Sequence, residues 1–249
     1  MTINSKIGNL GDNLWLTPFF KHGIAKKIIL PDDKVCRNVA KIFDGLGDIE
    51  FSNLDYDHCP ETNDRIHRSA AHLKYFNCNK SPIPYIIIKD EELEFAQNIV
   101  KGIQNPIAVN FTTSNKGGDL ASSLRCFNYE QIKLLVKHLI DFGYTPINFG
   151  LSHNTDNIDG VIKILDLDIR NMAACYKLIG KYIGSESGPP HLMLAVGGKI
   201  LVYHPNSDDL YYPSWKYHFT DEYWENEQCR AKYINFSNIN PINDLTFFK

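Results

Sequence analysis

The sequence of 249 residues is most informative first for what it lacks. No apolar stretch approaches the roughly 20 residues that a membrane-spanning helix needs, and the opening MTINSKIGNLGDN has no long apolar core of the secretory type. Positive charge is not in excess: 26 Lys and Arg stand against 29 Asp and Glu, a formal net charge of −3. That removes any general electrostatic pull towards nucleic acid or an anionic membrane, and leaves room only for a local basic patch. The six cysteines (Cys36, Cys59, Cys78, Cys126, Cys175, Cys229) form no C-x-x-C and no Cys/His cluster at zinc-ligand spacing. They read as isolated thiols of a reducing compartment. Cys59 follows Asp57 and His58, but three adjacent polar residues before Pro60 read as a loop rather than a nucleophile or metal site. Low-complexity tracts and repeats of solenoid length are also missing. A folded, cytoplasmic protein with one large core or two modest ones is the expectation.

What is present is an alternation of strand-like and helix-like segments. Residues 10–20 have helical character, 26–30 form a compact strand, and 32–43 carry Val35, Val39, Ile42 and Phe43 at helical spacing. Residues 48–51 look like a strand, 53–59 a loop, and 60–76 a helix through Ile66, Ala70 and Leu73. Pro82 and Pro84 break helix, Ile86 to Ile88 are extended, and Asp90 is placed to cap a helix reaching about Ile103. This change of character is the expected junction between a first lobe, 1–88, and a second, 89–249. Residues 106–111 read as a fully buried strand, followed by the polar loop TTSNKGGDLASSLRC. Asn128 and Gln131 have capping-box spacing ahead of Tyr129, Ile132, Leu135, Val136 and Leu139, a face that Gly143 ends. A strand at 145–149, another short apolar element at 161–165 and a helix at 171–180 follow. The order implies an α/β fold with parallel sheets covered by helices on both faces. Beyond Pro205 the chain is rich in Tyr and Trp and poor in periodicity. Such a segment suits a sheet edge, a bridge between lobes or a homo-oligomer interface.

One segment, YIGSESGPPHLMLAVGGKILVYHP over residues 182–205, reads as an anion-binding unit. A short strand meets the small turn Ser185, Glu186, Ser187, Gly188. Pro189 and Pro190 then open a helix carrying His191, Leu192, Leu194 and Ala195, which Gly197 and Gly198 end before a strand at 199–203. Free N–H groups and the positive end of the helix dipole at such a turn cradle phosphate. The same pattern also serves as a plain βαβ connection, and pattern alone leaves both open.

Three stretches, in this order, carry a resemblance to a known family: IGNLGDNLWLTPFFK, then PIAVNFTTSNKGGDLASSLRCFNYEQIKLLVKHLIDFGYTPINFG, then ILDLDIRNMAACYKLIGKYIGSESGPPHLMLAVGGKILVYHP. Together they resemble glycosyltransferase family nine, the ADP-heptose:lipopolysaccharide heptosyltransferases and their relatives. The resemblance covers roughly half the chain and implies a GT-B fold of two Rossmann-like lobes. It also implies a metal-independent, inverting transfer of a hexosyl or heptosyl group from a nucleoside diphosphate sugar, with no cofactor beyond that donor substrate. The acceptor would be a hydroxyl on a glycan, a lipid-linked saccharide or a protein. Asp12 then matches the general base. Lys116 matches the cation facing the donor diphosphate; Ser185, Glu186, Ser187, Gly188 and His191 match the donor-binding signature, with Glu186 where the family usually has Asp. Asn9, Gly11, Thr112, Ser114, Arg125 and Met172 are further positions in the same stretches. Each has a plainer reading beside it, a helix cap for Asp12 and solvated or core side chains for Lys116, Arg125 and His191.

Two departures shape the alternatives. The first lobe is about half as long as the family's acceptor domain, and the turn GLSHNTDN after Phe149 has no glutamate for the ribose, leaving Asp156 as a substitute. One rival is a metal-dependent GT-A enzyme using a D-x-D pair, for which Asp55 with Asp57 and Asp166 with Asp168 have the spacing. The other is a non-catalytic nucleotide-sugar or glycan binder.

Overall fold

A computed structural model of the protein describes residues 2–4, 10–52, 83–112, 126–150, 157–185, 187–204, 231–235 and 239–248, with Asn4, Asp12, His204, Ala231, Lys232, Tyr233 and Asn235 described by their backbone alone. Two parallel sheets organise the described residues. The smaller has the order β1-β2-β3, from β1 (Thr2–Asn4), β2 (Lys27–Leu30) and β3 (Asp48–Phe51). Two short helices, α1 (Leu10–Leu14) and α2 (Thr17–Lys21), lie between β1 and β2. Pro18 fits the first turn of α2, where its missing N–H leaves no partner unserved. Helix α3 (Lys34–Ala40) precedes β3 and is capped by Asp33, whose carboxylate accepts from the Cys36 N–H at 2.8 Å. Its inward face is Cys36, Val39 and Ala40, and Val35, expected on that face, stands 61% exposed. Counting from Cys36 rather than Val35 restores the i, i+3, i+4 spacing.

The chain then runs extended through residues 83–89 into α4 (Asp90–Val100). The cap falls one residue earlier than expected. Lys89 is the N-cap, and the Glu92 carboxylate accepts from its N–H at 2.8 Å, leaving Asp90 as the first helical residue.

The larger sheet contains β4 (Pro106–Asn110), β5 (Thr145–Gly150), β6 (Ile162–Leu165), β7 (Lys181–Ser185), β8 (Lys199–His204) and β9 (Ala231–Asn235). Its order is β6-β5-β4-β7-β8-β9, all parallel. Strand β9 was not expected from the sequence. It lies beyond the aromatic stretch and extends the sheet edge by pairing with β8. Helix α5 (Tyr129–Asp141) opens with the reciprocal capping box, Gln131 N–H to Asn128 Oδ1 and Asn128 N–H to Gln131 Oε1, both 2.9 Å. Tyr129, expected on its apolar face, is instead 66% exposed. As the first helical residue it sits beyond the sheet that Ile132, Leu135, Val136 and Leu139 cover. Helix α6 (Ile169–Ile179) follows β6 and ends on Gly180 in the left-handed conformation, φ 67°. Helix α7 (Gly188–Ala195) follows β7, and after β9 come α8 (Pro241–Asp244) and a 3-10 turn over Leu245–Phe248.

Side chains of β4 alternate, as a strand requires. Ile107 and Val109 join Leu135 and Leu139 on one face, whereas Ala108 joins the larger core on the other. That larger core is continuous between the sheets, running from Ile3, Ile28 and Leu30 through Leu192 and Met193 to Ile147, Ile200 and Val202. At its middle lies α7, in which every residue from Pro190 to Ala195 is buried. A helix apolar on all sides has to be enclosed on all sides, and α7 touches α1, α6, β7 and β8. The thiols of Cys36 and Cys175 are buried, and burial raises them to about 11 and about 12, so both stay neutral and unreactive.

Candidate functional site

The order of the larger sheet contains a topological switch point. From β4 the chain steps outward through β5 to β6, then returns to place β7 on the other side of β4 before stepping through β8 to β9. At such a point, beyond the carboxyl ends of the two strands that flank it, here β4 and β7, lies the crevice in which open α/β sheets usually hold a ligand. On the β7 side stand Ser185, which ends the strand, and Ser187 and Gly188, where α7 begins.

The crevice floor is tight. Asn110, the last residue of β4, donates from Nδ2 to Ser187 Oγ at 3.2 Å, and Ser185 Oγ donates to the Asn110 carbonyl at 3.4 Å. Tyr182, fully buried, donates its phenol O–H to the Ser185 carbonyl at 3.0 Å, and Ser187 Oγ donates to that same carbonyl at 3.3 Å. A Cβ on Gly184 would overlap the Asn110 carbonyl oxygen, so only glycine lets β4 and β7 approach this closely. Ser187 is the N-cap of α7 by position, yet its side chain makes no capping bond. Pro189 and Pro190 have no N–H, so the orphan donors of this helix start reduce to the Ser187 and Gly188 N–H groups.

Helix α1 packs on α7, and a Cβ on Gly188 would come within 3.3 Å of the Leu10 side chain. The first residues of the two helices therefore meet. Backbone placement puts Gly11 and Asp12 one and two residues beyond that contact. His191, 5% exposed, faces the Trp15 ring edge-on with centroids 5.3 Å apart, which fixes it between α7 and the α1–α2 connection. Thr112 is half-buried just past β4, and Met172 is half-buried on α6 against the main core. Asn9, Ser114, Lys116, Arg125 and Glu186 lie outside the described residues, as do Asp55, Asp57 and Asp156. Asp168, of the second D-x-D pair, is the N-cap of α6; its Oδ1 accepts from the N–H groups of Arg170 at 2.8 Å and Asn171 at 3.0 Å. Among the described residues no three His, Cys, Asp or Glu side chains gather as a metal-binding group.

Sequence reasoning missed two features. One is Asn110, a polar residue ending the apolar run of β4. The other is Arg170, 6% exposed, which makes a clamp beside the site. Its Nε and Nη2 donate to Glu92 Oε1 and Oε2 at 2.7 and 2.8 Å; Nη2 also reaches the Ile87 carbonyl at 2.5 Å and Nη1 the Lys41 carbonyl at 3.3 Å. One guanidinium thus ties α4, the extended 83–89 segment and the end of the α3 region to α6. Lys89 pairs with Asp44 at 2.7 Å nearby. A cavity of about 390 Å³ is also present, lined by Lys21, Tyr85, Lys177, Leu194 and Val196 among others. It lies at the opposite end of α7 from the switch point.

No family model matches the sequence, and no curated protein matches it. Solved structures do. The glycosyl transferase family 9 protein from Veillonella parvula superposes with a TM-score of 0.66 over 95% of this chain and 86% of that one, at 11% identity. Escherichia coli heptosyltransferase WaaC with ADP gives 0.59 over 99% and 98%, at 10% identity. The iron-containing dodecameric glycosyltransferase TibC from enterotoxigenic E. coli gives 0.53 over 88% of this chain and 61% of that one, at 13% identity. The class is therefore settled at the level of fold: an α/β chain of two Rossmann-like parallel sheets, shaped like the family-nine heptosyltransferases. The family resemblance carried by the three sequence stretches is matched by the architecture. No helix among the described residues is long and apolar enough to cross a membrane.

Proposed function

We propose that this protein is a metal-independent, inverting glycosyltransferase that moves a sugar from a nucleoside diphosphate donor to a hydroxyl acceptor. The observation that carries the reading is the coincidence of the switch point with the Ser185–Gly188 turn and with the start of α1. Two features expected from separate parts of the sequence, the turn before α7 and the start of α1, support the reading by lying together at the switch point. The solved relatives in complex with ADP and with ADP-D-β-D-heptose bind such ligands in the same fold.

In this reading the donor diphosphate lies across the crevice between β4 and β7. The N–H groups of Ser187 and Gly188 and the positive end of α7 face its oxygens, and Lys116 offsets charge building on the leaving nucleoside diphosphate. Asp12 takes the acceptor hydroxyl proton while that oxygen attacks the anomeric carbon from the face opposite the leaving group. The bond to the diphosphate oxygen breaks in the same displacement, so the anomeric configuration inverts. Asp168 spends its carboxylate on the α6 cap, which favours this reading over a D-x-D metal site.

Thermal unfolding against a panel of nucleoside diphosphates and nucleotide sugars, with and without chelator, tests it. A ligand at 100 times its dissociation constant adds about 2.7 kcal/mol of stability. A selective rise in Tm that survives chelator is expected. A rise abolished by chelator points to the D-x-D reading, and no rise with any member removes the donor site altogether. Asp12→Asn then separates enzyme from binder, since only an enzyme loses turnover while keeping donor affinity.

A further inference from the structure

We infer that Asn110 and Tyr182 are positioning residues that make the Ser187 hydroxyl a donor available to the substrate's phosphate oxygens. The inference rests on the reading of this crevice as the diphosphate site and adds two residues to it.

A serine at an N-cap ordinarily turns its oxygen back to accept from its own helix, two or three residues on. In α7 that use is closed, because the residues at N2 and N3 are Pro189 and Pro190 and present no N–H to the cap. Ser187 Oγ instead accepts from Asn110 Nδ2 at 3.2 Å, across the switch point from the neighbouring strand. Its oxygen is thereby held at the crevice, and its one proton remains to be given away.

In the structure that proton goes to the Ser185 carbonyl at 3.3 Å. The same carbonyl already accepts from the buried Tyr182 phenol at the shorter distance of 3.0 Å. A carbonyl so served is not orphaned when the serine proton leaves it, so the exchange escapes the penalty of stranding a buried acceptor. Ser187 can then rotate its O–H onto an anionic oxygen while still accepting from Asn110. A bond from a neutral hydroxyl to a charged oxygen is also the stronger of the two. Asn110 fixes the oxygen, Tyr182 frees the proton, and neither touches the donor.

The experiment uses the full chain and takes as probe whichever of ADP, GDP, UDP or CDP raises its Tm most, with the matching nucleoside as control. Dissociation constants are measured for Asn110→Ala, Ser187→Ala and the double variant. Each single change is expected to weaken the diphosphate about tenfold to a hundredfold, the scale of one hydrogen bond to a charged group. The double is expected to be no weaker than the singles, because Asn110 acts through Ser187. The nucleoside is expected to bind all variants within about twofold of one another, since it has no phosphate to feel the loss.

Asn110→Asp, an isostere that keeps the local packing, is expected to bind the diphosphate more weakly than Asn110→Ala. Its carboxylate would accept the serine proton and repel the phosphate. Tyr182→Phe is expected to weaken the diphosphate and leave the nucleoside unchanged. Additive losses in the double variant, or equal losses for nucleoside and diphosphate, would overturn the positioning role while leaving the donor site standing. A wild-type chain that binds no diphosphate overturns the site and the inference together.

Discussion

Two helices begin at the same edge of the larger sheet, and their first turns are built in opposite ways. Helix α6, after β6, is closed by its own sequence. The Asp168 carboxylate accepts from two N–H groups, and the next residue but one, Arg170, is drawn into a buried clamp with Glu92 and two backbone carbonyls. Helix α7, after β7, is left open. Its N-cap serine faces the neighbouring strand, and two prolines thin out its donors. A helix start that satisfies itself belongs to the scaffold, and one that leaves its positive end facing a crevice is available to an anion. On the proposed reading, the difference separates the part of this edge that holds the protein together from the part that meets the donor.

The sharpest way to break the comparison is at Arg170. Arg170→Met leaves the half-buried Glu92 carboxylate with the Lys89 N–H alone, and the loss of one member of a fully buried pair, an upper limit here, costs about 3–5 kcal/mol. Guanidinium unfolding at neutral pH is expected to show a loss of up to that size, and Arg170→Met with Glu92→Leu is expected to recover much of it. Where the single variant remains folded, diphosphate affinity should stay within about twofold of the wild type, since the clamp and the crevice share no hydrogen-bond partner. A large loss of affinity with little loss of stability would erase the division between the two helix starts.

A smaller effect sharpens it. Asp168→Ala removes a working cap and is expected to cost about 1 kcal/mol of stability, with donor binding unchanged. Ser187→Ala removes a serine that caps nothing, and should stay within about 0.5 kcal/mol of the wild type in stability while weakening the donor. Denaturant midpoints and dissociation constants on the two variants give the crossed pattern directly. Parallel losses in both readouts would mean that Ser187 is structural after all.

How far this was legible in advance follows from the range of the interactions. The capping box of α5 was readable because Asn128 and Gln131 are three residues apart and need no other part of the chain. The span of α7 showed in an apolar run between a proline pair and a glycine pair, and the buried strands showed in PIAVN and KILVYH. Val35 and Tyr129 were placed on the wrong faces because apolar character marks an inward face only when a neighbour covers it, and helix ends overhang their sheets. Strand β9 was invisible because AKYIN becomes a strand only beside β8. Asn110 could be noticed as a polar residue closing an apolar strand, but its partner stands 77 residues away. Arg170 reaches partners 78, 83 and 129 residues away, and no local pattern announces such a clamp. Of the residues expected at the site, the structure brings Gly11, Ser185, Ser187, Gly188 and the backbone of Asp12 into one neighbourhood. Lys116 and Glu186 lie outside the described residues.

The smallest expected effect is in the pH dependence of the closed helix start. Burial by itself would push the Glu92 carboxyl up, but the Arg170 guanidinium and the Lys89 N–H outweigh it and hold the group below its ordinary 4.5. Asp44 is held below its ordinary 3.8, chiefly by its bond to Lys89. Carboxyls depressed in the native state stabilise it fully above their unfolded values, and that contribution drains away as pH falls through the folded ones. Stability of the wild type should therefore decline with acid from about pH 5 downwards. Glu92→Gln should be less stable than the wild type at neutral pH and should lose less on acidification, so that the two curves converge. Denaturant midpoints taken between about pH 6 and about pH 3 read this out. Curves that run parallel would show that Glu92 does not change its proton affinity on folding, and the closed helix start would then owe its hold to packing and the Asp168 cap rather than to the ion pair.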